Sequence, residues 1–466
     1  MKLTLGQIGD ILHAEGDYNT ATAAYGYSID TRTLAAGDLY FAVTGERLDG
    51  HDFVEAALEK GAAAAVISTR WVVPDTVDPT KLLRVPDSED CVLRAMQTLA
   101  RAVRRMWSAH PLATGEPRRV IGITGSAGKT TTKECVAAVL SARFHVLKSA
   151  GNLNNGFGLP LQLLKLEPEH EVAVLEMGMN HAGEITALAR IAEPDWAVVS
   201  NVAPVHLEHF ADGIQGIANA KYELVQALPP EGVPFLNADD THVRTFSRNR
   251  EQHTVFFGVE HEAPIRATDV QNLGADGMQF TALAYGETMP AHIALLGEHN
   301  VLNALAAIAV GRKAGIPLER CVEALSALTP ADKRGELLHW HGAKIINDCY
   351  NSNPRALDSM STALMAVRAD RRIVVAGEML ELGPEAAHLH RCCGQHMRRI
   401  GIDRLIAVRG EAIHIAEGFG EGAIFVDTPE QAGEWLHNNL HTGDAVLLKA
   451  SRGVRLERAL SALTPE

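Results

Sequence analysis

The chain has 466 residues, of which 46% are hydrophobic and 21% charged, and a formal net charge of −14. That length exceeds what one core organises and implies about three domains, while the ordinary composition excludes a disordered chain and the acidic balance argues against a broad nucleic-acid or anionic-membrane surface. No uncharged apolar run reaches the ~18 residues of a membrane span, residues 1–7 lack a continuous apolar signal region, and six scattered cysteines suit neither a disulfide scaffold nor a zinc site, so the expected setting is the cytoplasm.

Residues 1–86 read as a first α/β unit. Ser28-Ile29-Asp30-Thr31-Arg32 precedes Gly37-Asp38-Leu39-Tyr40-Phe41-Ala42-Val43, a short strand pattern behind a turn. Residues 51–58 predict a helix, which Gly61 ends before a strand at 64–67. The polar, proline-bearing stretch 71–86 is expected to close the unit. Helical spacing of Val92, Met96, Leu99, Val103 and Met106 then predicts a connecting helix, which opens a second unit over 87–328. From Val120 strands and helices alternate, implying a mostly parallel sheet covered on both faces. Its candidate strands are 172–175, 197–200 and 234–236. An alanine-rich helix is expected over 300–314, ended by Gly315-Ile316-Pro317. The third unit, 329–466, has strands expected at 344–346, 373–375, 405–407, 424–426 and 445–448 with helical segments between them, a Rossmann-like pattern.

Gly122-Ile123-Thr124-Gly125-Ser126-Ala127-Gly128-Lys129-Thr130-Thr131 follows the apolar Val120-Ile121 and precedes apolar residues at helical spacing. A glycine-rich turn there points backbone N–H groups and the positive end of a helix dipole at an anion. Lys129 would reach the β- and γ-phosphates of ATP or GTP, and the Thr130 hydroxyl would bind Mg²⁺. The usual pattern has a glycine where this chain has Ile123; here glycines fall at 122, 125 and 128. Glu176 closes the 172–175 strand, where a carboxylate beside the phosphate loop suits Mg²⁺ held on nucleotide phosphates. By themselves, His206 reads as a capping or packed histidine and Lys221 as a solvated helix lysine.

The joint order of this loop, Glu176-Met177-Gly178-Met179-Asn180, Asn201-Val202-Ala203-Pro204-Val205-His206, Ala220-Lys221-Tyr222-Glu223 and Gly297-Glu298-His299-Asn300-Val301-Leu302-Asn303 resembles the Mur ligase family of peptidoglycan precursor synthesis. The likeness continues through Asp332-Lys333-Arg334-Gly335-Glu336, Tyr350-Asn351-Ser352-Asn353-Pro354 and Lys449-Ala450-Ser451-Arg452, and so covers all three units. The Tyr350–Pro354 motif, the Glu176–Asn180 motif and Gly377-Glu378-Met379-Leu380-Glu381-Leu382-Gly383 are most similar to the branch that adds D-alanyl-D-alanine to UDP-N-acetylmuramoyl tripeptide.

The resemblance implies an ATP-dependent, peptide-bond-forming ligase working through an acyl phosphate, active as a monomer. Thr124, Gly125, Ser126, Ala127, Gly128, Lys129, Thr130 and Thr131 would hold the phosphates. Asn300, Asn303, Arg334, Asp348 and Asn351 would meet the rest of the nucleotide. Thr130 and Glu176 would share one Mg²⁺, His206 would ligate a second, and Lys221 would carry a CO₂-derived carbamate supporting the metal. Ser28, Asp30, Thr31, Arg32, Gly45, Asp49 and Gly50 match the region that binds the UDP-sugar, and Asn152, Asn154 and Asn155 match a loop facing the substrate. Which group deprotonates the amine stays open, His206 being a candidate if it is not a ligand; so does the identity of the third peptide residue, meso-diaminopimelate or L-lysine. The competing readings are a related ATP-dependent ligase, such as a tripeptide or folylpolyglutamate synthase, and a nucleotide-driven switch without small-molecule substrates.

Overall fold

The computed structural model describes residues 1–45, 47–205, 207–330 and 332–463. The first unit is built on four parallel strands in the order Gly26–Ser28, Asp38–Phe41, Ala64–Ser68 and Leu82–Val85. A two-stranded ribbon, Leu3–Thr4 with Ala23–Ala24, sits apart from that sheet. The helix Leu5–Leu12 that follows is closed by a capping box, Thr4 and Gln7 each bonding the other's backbone N–H. The strand Leu82–Val85 lies in the stretch expected only to close the unit. Its apolar Leu82, Leu83 and Val85 are framed by Pro79 and Pro86, which hide a four-residue strand among breakers.

The connecting helix runs Cys91–Ser108 and buries Val92, Met96, Leu99, Val103 and Trp107. These side chains share one apolar cluster with Phe41, Val66 and Leu83 of the first unit and with Leu159, Leu163 and Leu188 of the second. The buried Arg104 of this helix adds polar ties, donating to the carbonyls of Ala192 (3.0 Å) and Glu193 (2.7 Å) and to Asp195 Oδ2 (3.0 Å). Apolar burial on this helix thus joins the first unit to the second, Arg104 ties the helix to the second, and the Met1 amino group adds a contact to the Leu166 carbonyl and Glu167.

The central sheet has nine strands in the order Glu287–Ile293, Met278–Ala284, Ile265–Asn272, Val255–Gly258, Val233–Asn237, Trp196–Val199, Arg119–Thr124, Val172–Glu176 and Val146–Lys148. Seven of these are joined by parallel pairings, as the alternating pattern predicts. The antiparallel addition of Met278–Ala284 and Glu287–Ile293 was not expected. Its hairpin turns on Tyr285 (φ 50) and Gly286 (φ 88), a pair of positive-φ residues suited to a two-residue turn. Tyr-Gly is a weak version of the Asn-Gly signal that marks such turns in a sequence. Helix His299–Lys313 packs against Lys129–Ser141 on one face of the sheet, and Gly311 is required there: a Cβ would stand 2.4 Å from Val139 Cγ1.

The third sheet is ordered Glu336–Trp340, Ala343–Asn347, Asp444–Lys449, Arg371–Gly377, Arg404–Val408, Ala423–Val426. Its five expected strands are all present and parallel, and an antiparallel edge strand, Glu336–Trp340, is added by a tight turn at His341 and Gly342. Among the described residues no helix is long and apolar enough to cross a membrane.

The shared cluster makes Leu99, fully buried in the connecting helix, a sensitive position. Leu99→Ala should destabilise the chain by about 2–5 kcal/mol through lost burial and the cavity it leaves, read as a lowered midpoint in urea unfolding. A loss below ~0.5 kcal/mol, the range of ordinary surface substitutions, would show that the helix is not the fastening.

Candidate active site

Strand Arg119–Thr124 delivers the chain to the turn at 125–128, and helix Lys129–Ser141 leaves it. Gly128 adopts φ +77, and a Cβ on Gly125 would fall 2.0 Å from Ser200 Oγ. Asn201 braces the turn: its carbonyl accepts from the Ser126 N–H, its Oδ1 accepts from the Ala127 N–H (3.0 Å), and its Nδ2 donates to the Ala127 carbonyl (2.8 Å). Ser126 Oγ donates to the Ala203 carbonyl and accepts the Ala203 N–H. Thr124 Oγ1 ties the strand end to the Met177 carbonyl at 2.9 Å. The N–H groups of Ser126 and Ala127 are therefore engaged within the protein. Helix geometry leaves the first-turn N–H groups of Lys129, Thr130 and Thr131 without helical acceptors, ready for an anion.

Strand Val172–Glu176 runs beside Arg119–Thr124 and ends in a carboxylate only 3% exposed. Glu176 Oε2 accepts from Thr130 Oγ1 at 2.7 Å, and Oε1 accepts from Asn154 Nδ2 at 2.8 Å. The Glu176 N–H donates to Ser149 Oγ, while the buried Lys133 ammonium donates to the Ser149 carbonyl at 2.6 Å. A hydroxyl and a carboxylate held together are hard oxygen donors of the kind Mg²⁺ takes when phosphates complete its shell. No cluster of three or more His, Cys, Asp or Glu side chains suited to a metal occurs among the described residues. His206, expected as a second ligand, lies outside the described residues.

The Lys129 ammonium donates to the Gly125 carbonyl at 2.9 Å. Burial and the Arg334 guanidinium hold its pKa below the usual lysine range, against the opposing pull of Glu176. Lys221, on helix Gly213–Gln226, is 2% exposed and has no hydrogen-bond or ion-pair partner among the described residues. Desolvation, and then the Lys129 charge, push its pKa well down. It stands outside the lining of the cavity described next.

A cavity of about 720 Å³ opens between the central and third sheets. Lys129, Thr130, Thr131, Glu176, Asn300 and Asn303 line it from one side, and Arg334, Asp348, Asn351, Lys449 and Arg452 from the other. Asn303 Oδ1 accepts from Thr132 Oγ1 at 2.9 Å and its Nδ2 donates to Asn300 Oδ1 at 2.8 Å, fixing both amides against the helix that follows the loop. Arg334 stacks 3.8 Å above the Tyr350 ring. Lys449 forms a buried ion pair with Asp348 and donates to the Asn351 carbonyl at 3.0 Å. Across the gap, His299 Nδ1 lies 2.8 Å from Ser359 Oγ; burial lowers the His299 pKa to about 4, so the ring is neutral at pH 7.

One arm of the cavity passes Asn152, Asn154 and Asn155 and reaches Gln97 on the connecting helix. The first-unit candidates are not among its lining. Ser28, Asp30, Thr31 and Arg32 form their own cluster just beyond the carboxyl end of Gly26–Ser28, with Asp30 accepting from Arg32 Nη2 at 2.7 Å. Asp49, flanked by Gly45 and Gly50, accepts from His51 Nδ1 at 2.7 Å and from Thr44 Oγ1 at 3.1 Å. Sequence reasoning gave no role to Asn201, His299 or Lys449. Asn201 and Lys449 fall at or just beyond the carboxyl ends of parallel strands, as Glu176 does, and that position was the available signal.

Three family models match successive stretches: the Mur ligase family catalytic domain over 24–101, the Mur ligase middle domain over 123–311 and the Mur ligase glutamate ligase domain over 333–452. Over 452 residues the chain is 36% identical to UDP-N-acetylmuramoyl-tripeptide--D-alanyl-D-alanine ligase of Bacillus subtilis, covering 95% of this chain and 93% of that one. Its Escherichia coli counterpart is 35% identical over 90% of this chain and 89% of its own length. Among solved structures, MurF from Acinetobacter baumannii superposes with a TM-score of 0.88 at 28% identity, over 99% of this chain and 98% of the other. MurF ligase from Thermotoga maritima in complex with ADP gives 0.80 at 28% identity, over 94% and 97%. With its three sheets, its phosphate loop and matched stretches in all three units, this chain belongs to the Mur ligase family.

Proposed function

We propose that this chain is an ATP-dependent ligase that joins D-alanyl-D-alanine to UDP-N-acetylmuramoyl tripeptide, giving the pentapeptide, ADP and phosphate in peptidoglycan precursor synthesis. The observation that carries the reading is the two-sided cavity, with Lys129, Thr130 and Glu176 on one wall and Arg334, Asp348 and Asn351 on the other. The full-length likeness to ligases bearing that name supports the choice of substrates. Units 1–86, 87–328 and 329–466 then take the UDP-sugar, the ATP and the closing wall, in a monomer working in the cytoplasm.

A carboxylate and an amine do not condense directly, because oxide is a poor leaving group. In the proposed reaction the tripeptide carboxylate attacks the γ-phosphorus of ATP and ADP departs. The D-alanyl-D-alanine amine then attacks the acyl phosphate and phosphate leaves. The chain's contribution is position and charge. First-turn N–H groups and Lys129 hold the phosphates, Asn300 and Asn303 stiffen that wall, and Arg334 approaches from the third sheet. Mg²⁺, when bound by Thr130 and Glu176, would neutralise phosphate charge. Ser28, Asp30, Thr31, Arg32, Gly45, Asp49 and Gly50 hold the UDP end, and Asn152, Asn154 and Asn155 line the route of the peptide.

Lys221 fits the carbamate reading. Only a neutral amine adds to CO₂, and burial next to Lys129 favours that form. The resulting anion would lie near a lysine and a metal rather than stand as an unpaired ammonium.

A phosphate-release assay tests the main reading: with UDP-N-acetylmuramoyl tripeptide and ATP present, D-alanyl-D-alanine should support turnover and free lysine, diaminopimelate, glutamate or alanine should not. A free amino acid proving the best acceptor would overturn the substrate assignment, and ADP release without either substrate would favour the switch. Lys129→Ala should abolish ligation, raising the barrier by at least ~3 kcal/mol, comparable to losing one oxyanion donor, while calorimetry shows the UDP-tripeptide bound nearly as before. Lys221→Ala should lose most activity and regain part of it with added short carboxylic acids. Near-normal rate in that variant, or no rescue by any of them, would remove the carbamate from the mechanism.

A further inference from the structure

A second cavity, of about 220 Å³, lies at the opposite end of the central sheet from the phosphate loop. Arg119, Val172 and Trp196, which border it, are the first residues of three parallel strands, so it opens at their amino ends. Substrates of open α/β sheets bind at the carboxyl ends, and none of the residues assigned above lines this cavity. Its floor is apolar and partly aromatic, with Leu140, Phe144 and Trp196. Gly315 gives it a fixed wall: with no Cβ there (φ +76), Arg143 lies flat, donating to the Ala314 carbonyl at 2.7 Å and from Nη2 to both oxygens of Glu116.

The charges on the rim do not cancel. Arg143 and Glu116 neutralise each other. Arg119 and Lys313 have no hydrogen bond or ion pair from their charged groups among the described residues; Arg119 only lies 4.8 Å over the Trp196 ring. In a chain of net charge −14, two unpaired cations over an aromatic floor select for one ligand chemistry. We propose that this cavity is a binding site for a small carboxylate with a flat apolar body. The carboxylate takes the Arg119 and Lys313 charges, for which a planar guanidinium is well matched, and the ring system lies against Leu140 and the edge of Phe144, whose ring carries the Arg143 guanidinium at 4.9 Å. The volume is below the ~300 Å³ at which drug-sized clefts begin, which limits the ligand to one or two rings. The site shares its framework with the phosphate loop: strand Arg119–Thr124 and helices Lys129–Ser141 and His299–Lys313 each run from one cavity to the other.

The test uses the full chain saturated with ATP, so that the large cavity is filled, and measures binding of 2-naphthoate against its neutral isostere 2-naphthamide by ligand fluorescence. Naphthoate should bind at least tenfold more tightly than naphthamide. Lys313→Gln, on the surface, should weaken naphthoate several-fold, and Arg119→Met, which keeps a stem over Trp196, about tenfold. The double variant should bind the two compounds alike, with its circular dichroism unchanged. Equal affinities in the parent chain, no naphthoate binding at millimolar concentration, or naphthoate binding untouched by both substitutions would each overturn the proposal.

Discussion

The contact between Thr130 and Glu176 depends on a register. Ile123 pairs with Glu176 across two parallel strands, so the second strand delivers its last residue beside the first turn of the helix that follows the loop. A slip of one residue would turn Glu176 to the other face of the sheet. Asn154 holds the other carboxylate oxygen, Ser149 Oγ accepts from the Glu176 backbone N–H, and Lys133 secures Ser149 through its carbonyl. The rest of the cavity is arranged around this fixed pair of oxygens: the loop is braced by Asn201 on one flank, and the third sheet brings Arg334 to the other.

Charge explains the second wall. A strongly acidic chain gathers Lys129, Arg334, Lys449 and Arg452 around one space. Arg452 pairs with Glu457 at 2.7 Å, and the other three are restrained in different ways. Arg334 stacks on an aromatic ring, Lys449 pairs with Asp348, and Lys129 bonds a carbonyl of its own loop. Because burial and Arg334 weaken the charged form of Lys129, an incoming polyphosphate stabilises that form.

Much of this was legible in the residues. The parallel strands announced themselves as short apolar runs between helical patterns, and the loop and Glu176 follow from what strand ends do in such sheets. The hairpin at 278–293 was not expected: Met278–Ala284 does alternate buried and less buried residues, but its turn uses Tyr285-Gly286 and the edge strand Glu287–Ile293 is exposed over its first half. Strand Leu82–Val85 was concealed by flanking prolines. The bracing role of Asn201 and the pairing of Lys449 with Asp348 depend on contacts between segments 74 to 101 residues apart, which no local pattern encodes. Lys221 looked like a solvated helix lysine; only packing shows it to be dry.

The helix Cys91–Ser108 has a consequence for the order in which the protein is made. The apolar cluster it anchors begins at Leu3 and ends at Phe246. During synthesis the first unit therefore emerges with one face of its core uncovered until the helix Cys91–Ser108 follows it, and that helix waits in turn for the central residues that cover its other side. The third sheet carries a cluster wholly its own, from Trp340 to Leu463, and needs no such wait. Apolar surface of the helix left uncovered while the central strands are being translated is the kind that aggregation and chaperones act on.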